Sequence, residues 1–165
     1  MTGEIGFGLN GARRNVSAGA SQRLIDVLRE ELDATSAKKA CGIGRCGACM
    51  VLMNGAPTNA CLLMMWQVEG VEIVTPEGLD AVAEAAFVRQ GLTEENAFQC
   101  GYCAPGFTVT LTALLREMAK PDEADIRAAL GGNLCRCTGY HSIIRGALRA
   151  VELRAAAVAA LPEPA

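Results

Sequence analysis

Three cysteines crowd into nine residues in the first half of the chain, and this crowding limits the possible folds more than any other feature. The set has four members, with four, two and eleven residues between successive ones: Cys41, Cys46, Cys49 and Cys61. Glycine is interleaved with them at Gly42, Gly44 and Gly47, and it supplies the positive φ angles that a tightly wrapping loop needs. Free cysteines are often buried in cores, but this pattern favours a loop that encloses a metal group.

The spacing C-x4-C-x2-C…C is the one that plant-type [2Fe–2S] ferredoxins use. Such a cluster is anionic once four thiolates bind it, so the loop must direct backbone N–H groups at the sulfur atoms. The sequence therefore predicts a [2Fe–2S] site in this loop, with four buried core cysteines as the alternative.

Strand and turn signals precede the loop. Apolar residues alternate with glycine over Ile5–Leu9 and end at Asn10-Gly11, a type I′ hairpin signal that predicts a second strand over Arg13–Ala18. A helical stripe then runs from Leu24 to Leu32, with Ser21 as the predicted N-cap.

Three further strands are predicted after the helix, with a hairpin turn at Asn54-Gly55 between the first two: Met50–Met53, Thr58–Cys61 and Val71–Val74. The order ββαβββ predicts a β-grasp, the architecture of plant-type ferredoxins. This unit should end near Glu77-Gly78.

From Asp80 onward the pattern becomes helical. Four helices are predicted: Ala81–Arg89, Pro105–Lys120, Asp122–Leu130 and Ser142–Leu153. Gly91 should close the first helix, and the tail from Ala155 to Ala165 should fray. The predicted fold class is α+β, with an N-terminal β-grasp ferredoxin-like domain over residues 1–79 and an all-α four-helix bundle domain over residues 80–165.

Composition excludes several classes of function. The net charge is −3 and aromatic residues are few, so neither nucleic acid nor a membrane surface is an expected partner. No apolar run has the length of a membrane span, and the first residues show no basic or apolar leader pattern. We therefore expect a cytoplasmic protein, whose eight cysteines serve metal binding or catalysis and not disulfides.

The second half carries its own set of cysteines, in the order C-x2-C and, thirty-one residues later, C-x1-C: Cys100, Cys103, Cys135 and Cys137. Both pairs lie at the starts of predicted helices, where helix dipoles favour thiolates and anionic groups. The spacing fits a four-cysteine zinc site poorly, and no βαβ pattern of the thioredoxin type surrounds the first pair. A second iron–sulfur cluster, a zinc site and a redox-active pair all remain open on spacing alone.

The combination of these motifs resembles the small iron–sulfur subunit of the xanthine oxidase family of molybdenum hydroxylases. The resemblance rests on Cys41–Cys49, on Gln99-Cys100-Gly101-Tyr102-Cys103-Ala104-Pro105-Gly106 and on Cys135-Arg136-Cys137-Thr138-Gly139-Tyr140, and it covers nearly the whole chain. It implies two [2Fe–2S] clusters, an exposed one bound by the first four cysteines and a buried one bound by the second four. It also implies that Gln99 and the backbone of Cys137 contact a molybdopterin-type cofactor of a partner.

The resemblance further implies a function and an assembly. The chain would relay electrons from the molybdopterin centre of a large subunit, through both clusters, to FAD on a medium subunit, within a dimer of heterotrimers. It would be the iron–sulfur subunit of an oxidoreductase complex and would turn over no substrate alone. The alternatives are a free-standing two-cluster ferredoxin-type carrier and a zinc-stabilised interaction module.

One position departs from the family pattern. Ala40 stands before the first cysteine, where glycine is usual, and a positive φ there would cost alanine roughly 1 kcal/mol. His141, the only histidine in the sequence, is expected at a helix start in a capping or surface role.

Overall fold

A five-stranded mixed sheet forms the N-terminal half of the protein. The computed structural model describes residues 2–160. Its strands are β1 (Thr2–Leu9), β2 (Ala12–Gly19), β3 (Met50–Met53), β4 (Ala56–Asn59) and β5 (Glu72–Val74). Its helices are α1 (Leu24–Glu30), α2 (Ala83–Glu94), α3 (Ala104–Glu117), α4 (Glu123–Ala129) and α5 (His141–Ala159), with short 3₁₀ segments at Met65–Gln67, Pro76–Ala81 and Leu130–Gly132. The predicted α+β class is confirmed.

The sheet order is β2-β1-β5-β3-β4, with β5 parallel to β1 and antiparallel to β3. Both hairpins close on an Asn-Gly pair. The φ angles are 53° and 78° at Asn10 and Gly11, and 48° and 87° at Asn54 and Gly55. Positive φ at both central residues is the type I′ geometry, which matches the twist of the paired strands.

Strand β3 joins the two halves because both of its faces are buried. Val51 belongs to the core under α1, whereas Met50 and Leu52 pack with Val109 of α3 on the opposite face. A strand that is buried on both sides needs apolar residues at every position, which explains the unbroken run Met50–Met53. The helical half is therefore attached to the sheet through α3.

Two details of the first half differ from the sequence prediction. Helix α1 begins after Arg23 and not after Ser21, and no side chain caps it. The N–H of Leu24 instead donates to the carbonyl of Leu63 at 2.8 Å, so a tertiary contact replaces the capping side chain. Strand β4 begins two residues earlier than predicted, because the two-residue turn at Asn54-Gly55 fixes the pairing from Ala56 onward.

The helices of the second half pack around a core that includes Phe107, Leu111 and Ile143. Helix α2 continues through Gly91, so the predicted helix end there is wrong. A Cβ built on Gly91 would collide with the carbonyl oxygen of Gly146 in α5, so this glycine provides a close helix crossing and not a helix end.

The other helices of this half begin within one residue of their predicted starts, but α5 ends later than predicted. Asp122 caps α4 by accepting the N–H of Asp125 at 2.9 Å. Helix α5 continues to Ala159, six residues beyond its predicted end, so the start of the Ala-rich tail is helical. Residues 161–165 of that tail lie outside the described residues. Between residues 2 and 160, no helix combines the length and the apolar character needed to cross a membrane.

Candidate metal centres

Three members of the first cysteine group, Cys41, Cys46 and Cys49, lie in the loop between α1 and β3, and the fourth, Cys61, follows β4. This loop changes direction at Gly42, Gly44 and Gly47, whose φ angles are 68°, 73° and 67°. Side chains other than glycine rarely adopt this region. The glycines therefore bend the backbone inward, so that its N–H groups can face the enclosed sulfur atoms.

Backbone donors in this loop do reach sulfur. The N–H of Gly44 donates to Cys61 Sγ at 3.3 Å. The N–H groups of Ile43 and Arg45 donate to Cys41 Sγ at 3.5 and 3.4 Å. Chiefly because of the Ile43 donor, the pKa of the Cys41 thiol is lowered to about 7. The loop is thus arranged to stabilise negative charge on sulfur.

The inner side of the same group is buried. Cys49 and Cys61 are each 2% exposed, whereas Cys41 is exposed. Burial, together with the neighbouring thiols of Cys61 and Cys46, raises the pKa of Cys49 to about 12. Such a thiol becomes a thiolate near neutral pH when a metal cation binds it.

The second cysteine group forms where the start of α3 meets the loop before α5. The sulfur atoms of Cys100 and Cys137, both exposed, lie 3.7 Å apart. Burial and the neighbouring Cys135 raise the pKa of Cys103 to about 12. Burial raises the pKa of Cys135, but the hydroxyl of Thr138 and nearby backbone N–H groups lower it by more, so the net shift is downward.

Tyr140 holds the loop that carries Cys135. Its φ is +69°, a region that bulky residues rarely occupy. The phenol oxygen accepts the N–H of Cys135 at 3.0 Å, and the phenol donates to the carbonyl of Asn133 at 3.1 Å. The N–H of Tyr140 donates to Thr138 Oγ1 at 3.2 Å, and the Thr138 hydroxyl donates to Cys135 Sγ at 3.1 Å.

The two cysteine groups are in direct backbone contact. The N–H of Leu134 donates to the carbonyl of Cys46 at 2.9 Å. A Cβ built on Gly106 of α3 would collide with the carbonyl oxygen of Gly47, and a Cβ built on Gly47 would lie 2.6 Å from Asn133 Nδ2. There is consequently no room for a side chain between the two loops at this point.

The cysteines approach one another in pairs. Within residues 2–160, no three His, Cys, Asp or Glu side chains gather into a site for a single metal ion. The pairs are Cys41 with Cys46, Cys49 with Cys61, Cys100 with Cys137, and Cys103 with Cys135. A [2Fe–2S] cluster needs four thiolates, two on each iron. Two thiolates that bind one tetrahedral metal with bonds of about 2.3 Å lie about 3.8 Å apart. The 3.7 Å separation of the Cys100 and Cys137 sulfur atoms is therefore suitable for binding one iron of such a cluster.

The remaining site residues of the sequence prediction lie at the surface. Gln99 is exposed and directly precedes Cys100, whose sulfur is next to that of Cys137. In this chain alone, the second cysteine group is more exposed than the first. Ala40 is not among the residues with positive φ, so it carries none of the expected strain. His141 is the exposed first residue of α5, as expected.

Sequence reasoning missed Thr138 and Tyr140 as parts of the second group. A usable signal exists for Thr138, because a threonine three residues after a loop cysteine can turn its hydroxyl back onto that cysteine. No sequence signal indicates the positive φ of Tyr140.

A mixed sheet with a glycine-rich cysteine loop, joined to a helical half with a second cysteine group, is the arrangement expected of an iron–sulfur protein. Residues 75–148 match the model of the [2Fe-2S] binding domain family. The chain is 47% identical over 141 residues to a probable xanthine dehydrogenase subunit of Bacillus subtilis (strain 168), covering 86% of this chain and 81% of that one. It is 40% identical over 148 residues to the "Nicotinate dehydrogenase small FeS subunit" of Eubacterium barkeri, covering 90% and 94%.

A solved structure agrees with these relatives. A chain of quinoline 2-oxidoreductase from Pseudomonas putida 86 superposes with a TM-score of 0.86 at 34% identity, covering 94% of this chain and 97% of that one. The protein therefore belongs to the small iron–sulfur subunits of the xanthine oxidase family of molybdenum hydroxylases, which are electron-transfer subunits of oxidoreductase complexes.

Proposed function

We propose that this chain binds two [2Fe–2S] clusters and relays electrons between a molybdopterin centre and FAD, both held by partner subunits. A [2Fe–2S] cluster supplies reversible one-electron transfer. The proposal depends most on one observation, the Leu134 N–H···O=C Cys46 contact, which joins the backbones of the two cysteine groups. Contact this close shortens the path that an electron must cross.

The proposed cluster ligands are the eight cysteines of the four pairs described above. The first cluster is bound by Cys41, Cys46, Cys49 and Cys61, and the second by Cys100, Cys103, Cys135 and Cys137. In support, the first loop supplies N–H donors to sulfur and the second supplies a hydroxyl donor. Each group also contains one thiol with a raised pKa, Cys49 in the first and Cys103 in the second. A bound metal cation would stabilise the thiolate form of each.

The proposed architecture is a β-grasp ferredoxin-like domain over residues 1–79, followed by a four-helix bundle domain over residues 80–165. The strand order and the helix set are consistent with this division. The 3₁₀ segment Pro76–Ala81 would be the connection between the two domains.

The proposed assembly is a dimer of heterotrimers in the cytoplasm, with a large molybdopterin-binding subunit and a medium FAD-binding subunit. Gln99 and Cys137 would contact the pterin, because both lie on the exposed side of the second cysteine group. Docking of the large subunit there would bury Cys100 and Cys137. The substrate class is set by that subunit and not by this chain.

Paired ligand substitutions test the proposal. The complex should show two distinct [2Fe–2S] EPR signals when it is reduced with dithionite. Cys103→Ser should remove one signal and Cys41→Ser the other, and either change should block electron flow to the final acceptor. Zinc in place of iron, or a single signal in the unsubstituted complex, would refute the two-cluster assignment. Elution as a lone chain would favour the free-standing carrier.

A further inference from the structure

We propose that the Thr138 hydroxyl sets the reduction potential of the second cluster, an inference that rests on the proposed function. Thr138 Oγ1 lies 3.1 Å from Cys135 Sγ. It is the only side-chain hydroxyl that hydrogen-bonds to a cysteine sulfur anywhere in residues 2–160. This contact is to the sulfur of a proposed ligand, so Thr138 acts on the cluster through Cys135 as a positioning residue.

The direction of this hydrogen bond follows from the state of the sulfur. A ligand thiolate has no hydrogen to donate, so the hydroxyl must donate to it. A hydroxyl has one hydrogen to donate and two lone pairs to accept with. The N–H of Tyr140 donates to Thr138 Oγ1 at 3.2 Å and occupies one lone pair, which leaves the hydroxyl hydrogen available for the sulfur.

The loop keeps this hydroxyl in place at a conformational cost. The φ of +69° at Tyr140 turns its N–H toward Thr138, and the phenol anchors the same loop to Cys135 N and to the carbonyl of Asn133. Strained backbone of this kind persists where the surrounding contacts over-determine it. Here those contacts hold the donor beside the sulfur.

The two cysteine groups differ in the kind of donor that they use. The first group receives backbone N–H donors from Ile43, Gly44 and Arg45, which substitutions other than proline leave in place. The second group combines backbone N–H groups near Cys135 with one side-chain hydroxyl, that of Thr138. Its potential can therefore be changed by substitution at one position, independently of the first cluster.

The sign of the effect follows from charge. One-electron reduction adds one negative charge to the cluster and its thiolates, and a hydrogen bond to a charged acceptor is stronger than one to a less charged acceptor. The Thr138 donor therefore favours the reduced form and raises the potential of the second cluster. Hydrogen bonds to sulfur are one of the established determinants of such potentials.

The test is an EPR-monitored redox titration of the whole complex, with dithionite as the reductant and both cluster signals followed separately. Thr138→Val has nearly the same shape and lacks the hydroxyl, whereas Thr138→Ser retains it. The off-site control is Thr112→Val, the same chemical change in the buried interior of α3.

In Thr138→Val we expect the ratio of reduced to oxidised second cluster, at a fixed solution potential, to fall about tenfold, which is about 59 mV for a one-electron couple. The first cluster should be unchanged, and Thr138→Ser and Thr112→Val should leave both potentials at their starting values.

Several outcomes would overturn the inference. An unchanged reduction potential of the second cluster in Thr138→Val would show that the hydroxyl does not set it. An equal change of that potential in Thr138→Ser would show the same. If Thr138→Val and the smaller Thr138→Ala both lose the second signal while Thr138→Ser keeps it, the hydroxyl serves assembly of the site instead. Absence of a second signal in the unsubstituted complex would refute the proposed function itself, which is a different result.

Discussion

Gly47→Ala should loosen the contact between the two cysteine groups. Gly47 has a φ of +67°, so alanine there costs about 1–2 kcal/mol in backbone strain. The new Cβ would also lie 2.6 Å from Asn133 Nδ2 and 2.6 Å from the carbonyl oxygen of Gly132. Because the second of these is backbone, the loops must move apart, which adds about 1–3 kcal/mol.

The control for this substitution is Gly70→Ala. Gly70 has a similar φ of +71°, but a Cβ there would meet nothing within 4 Å. It therefore carries the backbone strain without the steric clash. The difference between the two variants isolates the contact between the loops.

The assay is the loss of visible iron–sulfur absorbance of the complex on heating, recorded at one scan rate for both variants. At about 2–4 °C per kcal/mol for a chain of this size, Gly47→Ala should lose its absorbance roughly 2–12 °C below Gly70→Ala. Equal midpoints in the two variants would refute the view that the loops are packed without spare room at Gly47.

Three further substitutions have definite expected outcomes. Thr112→Val should raise the midpoint of the same melt by a few degrees, because the buried hydroxyl has no hydrogen-bond partner and its removal recovers about 1 kcal/mol; a lower midpoint would contradict this. Tyr140→Phe should destabilise the second site by about 1–3 kcal/mol, since the N–H of Cys135 loses its acceptor, and faster release of iron to a chelator would report it. Glu77→Gln tests pH dependence: burial opposes ionisation, but contacts that include the N–H of Ser36, 2.7 Å away, lower the pKa of Glu77 on balance. The ionised Glu77 carboxylate stabilises the folded protein above the unfolded pKa of about 4.3, and this stabilisation is lost as pH falls through the lower folded value. The difference in melting midpoint between Glu77→Gln and the unsubstituted protein should therefore be largest near pH 7 and shrink below about pH 4. A difference that does not change with pH would contradict the assignment.

Local chemistry made much of the fold predictable from the sequence. The Asn-Gly pairs fixed both hairpins because only a few residue types accept two successive positive φ angles. The helix predicted over Asp122–Leu130 begins within one residue of its predicted start, where the Asp122 carboxylate caps α4 by accepting an N–H three residues on. The spacing of the cysteines likewise depends on short-range geometry.

Features that depend on tertiary contact were not predictable. Ser21 is a good capping residue, but the carbonyl of Leu63 satisfies the start of α1 instead. Gly91 looked like a helix end because glycine is usual there, and only its crossing with Gly146 explains why it lies inside α2. In the same way, nothing in the neighbouring sequence indicates that Gly47 lies at the close contact between the two cysteine groups.

The central claim is that this chain holds two clusters of the [2Fe–2S] type, and the most direct test is quantitative analysis of metal and acid-labile sulfide in the purified complex. Two clusters require about four iron atoms and about four sulfides per copy of this chain, two of each per cluster, beyond those that the partner subunits bind. Cys103→Ser should reduce both values by about half. About two iron atoms per chain, or zinc without labile sulfide, would contradict the account.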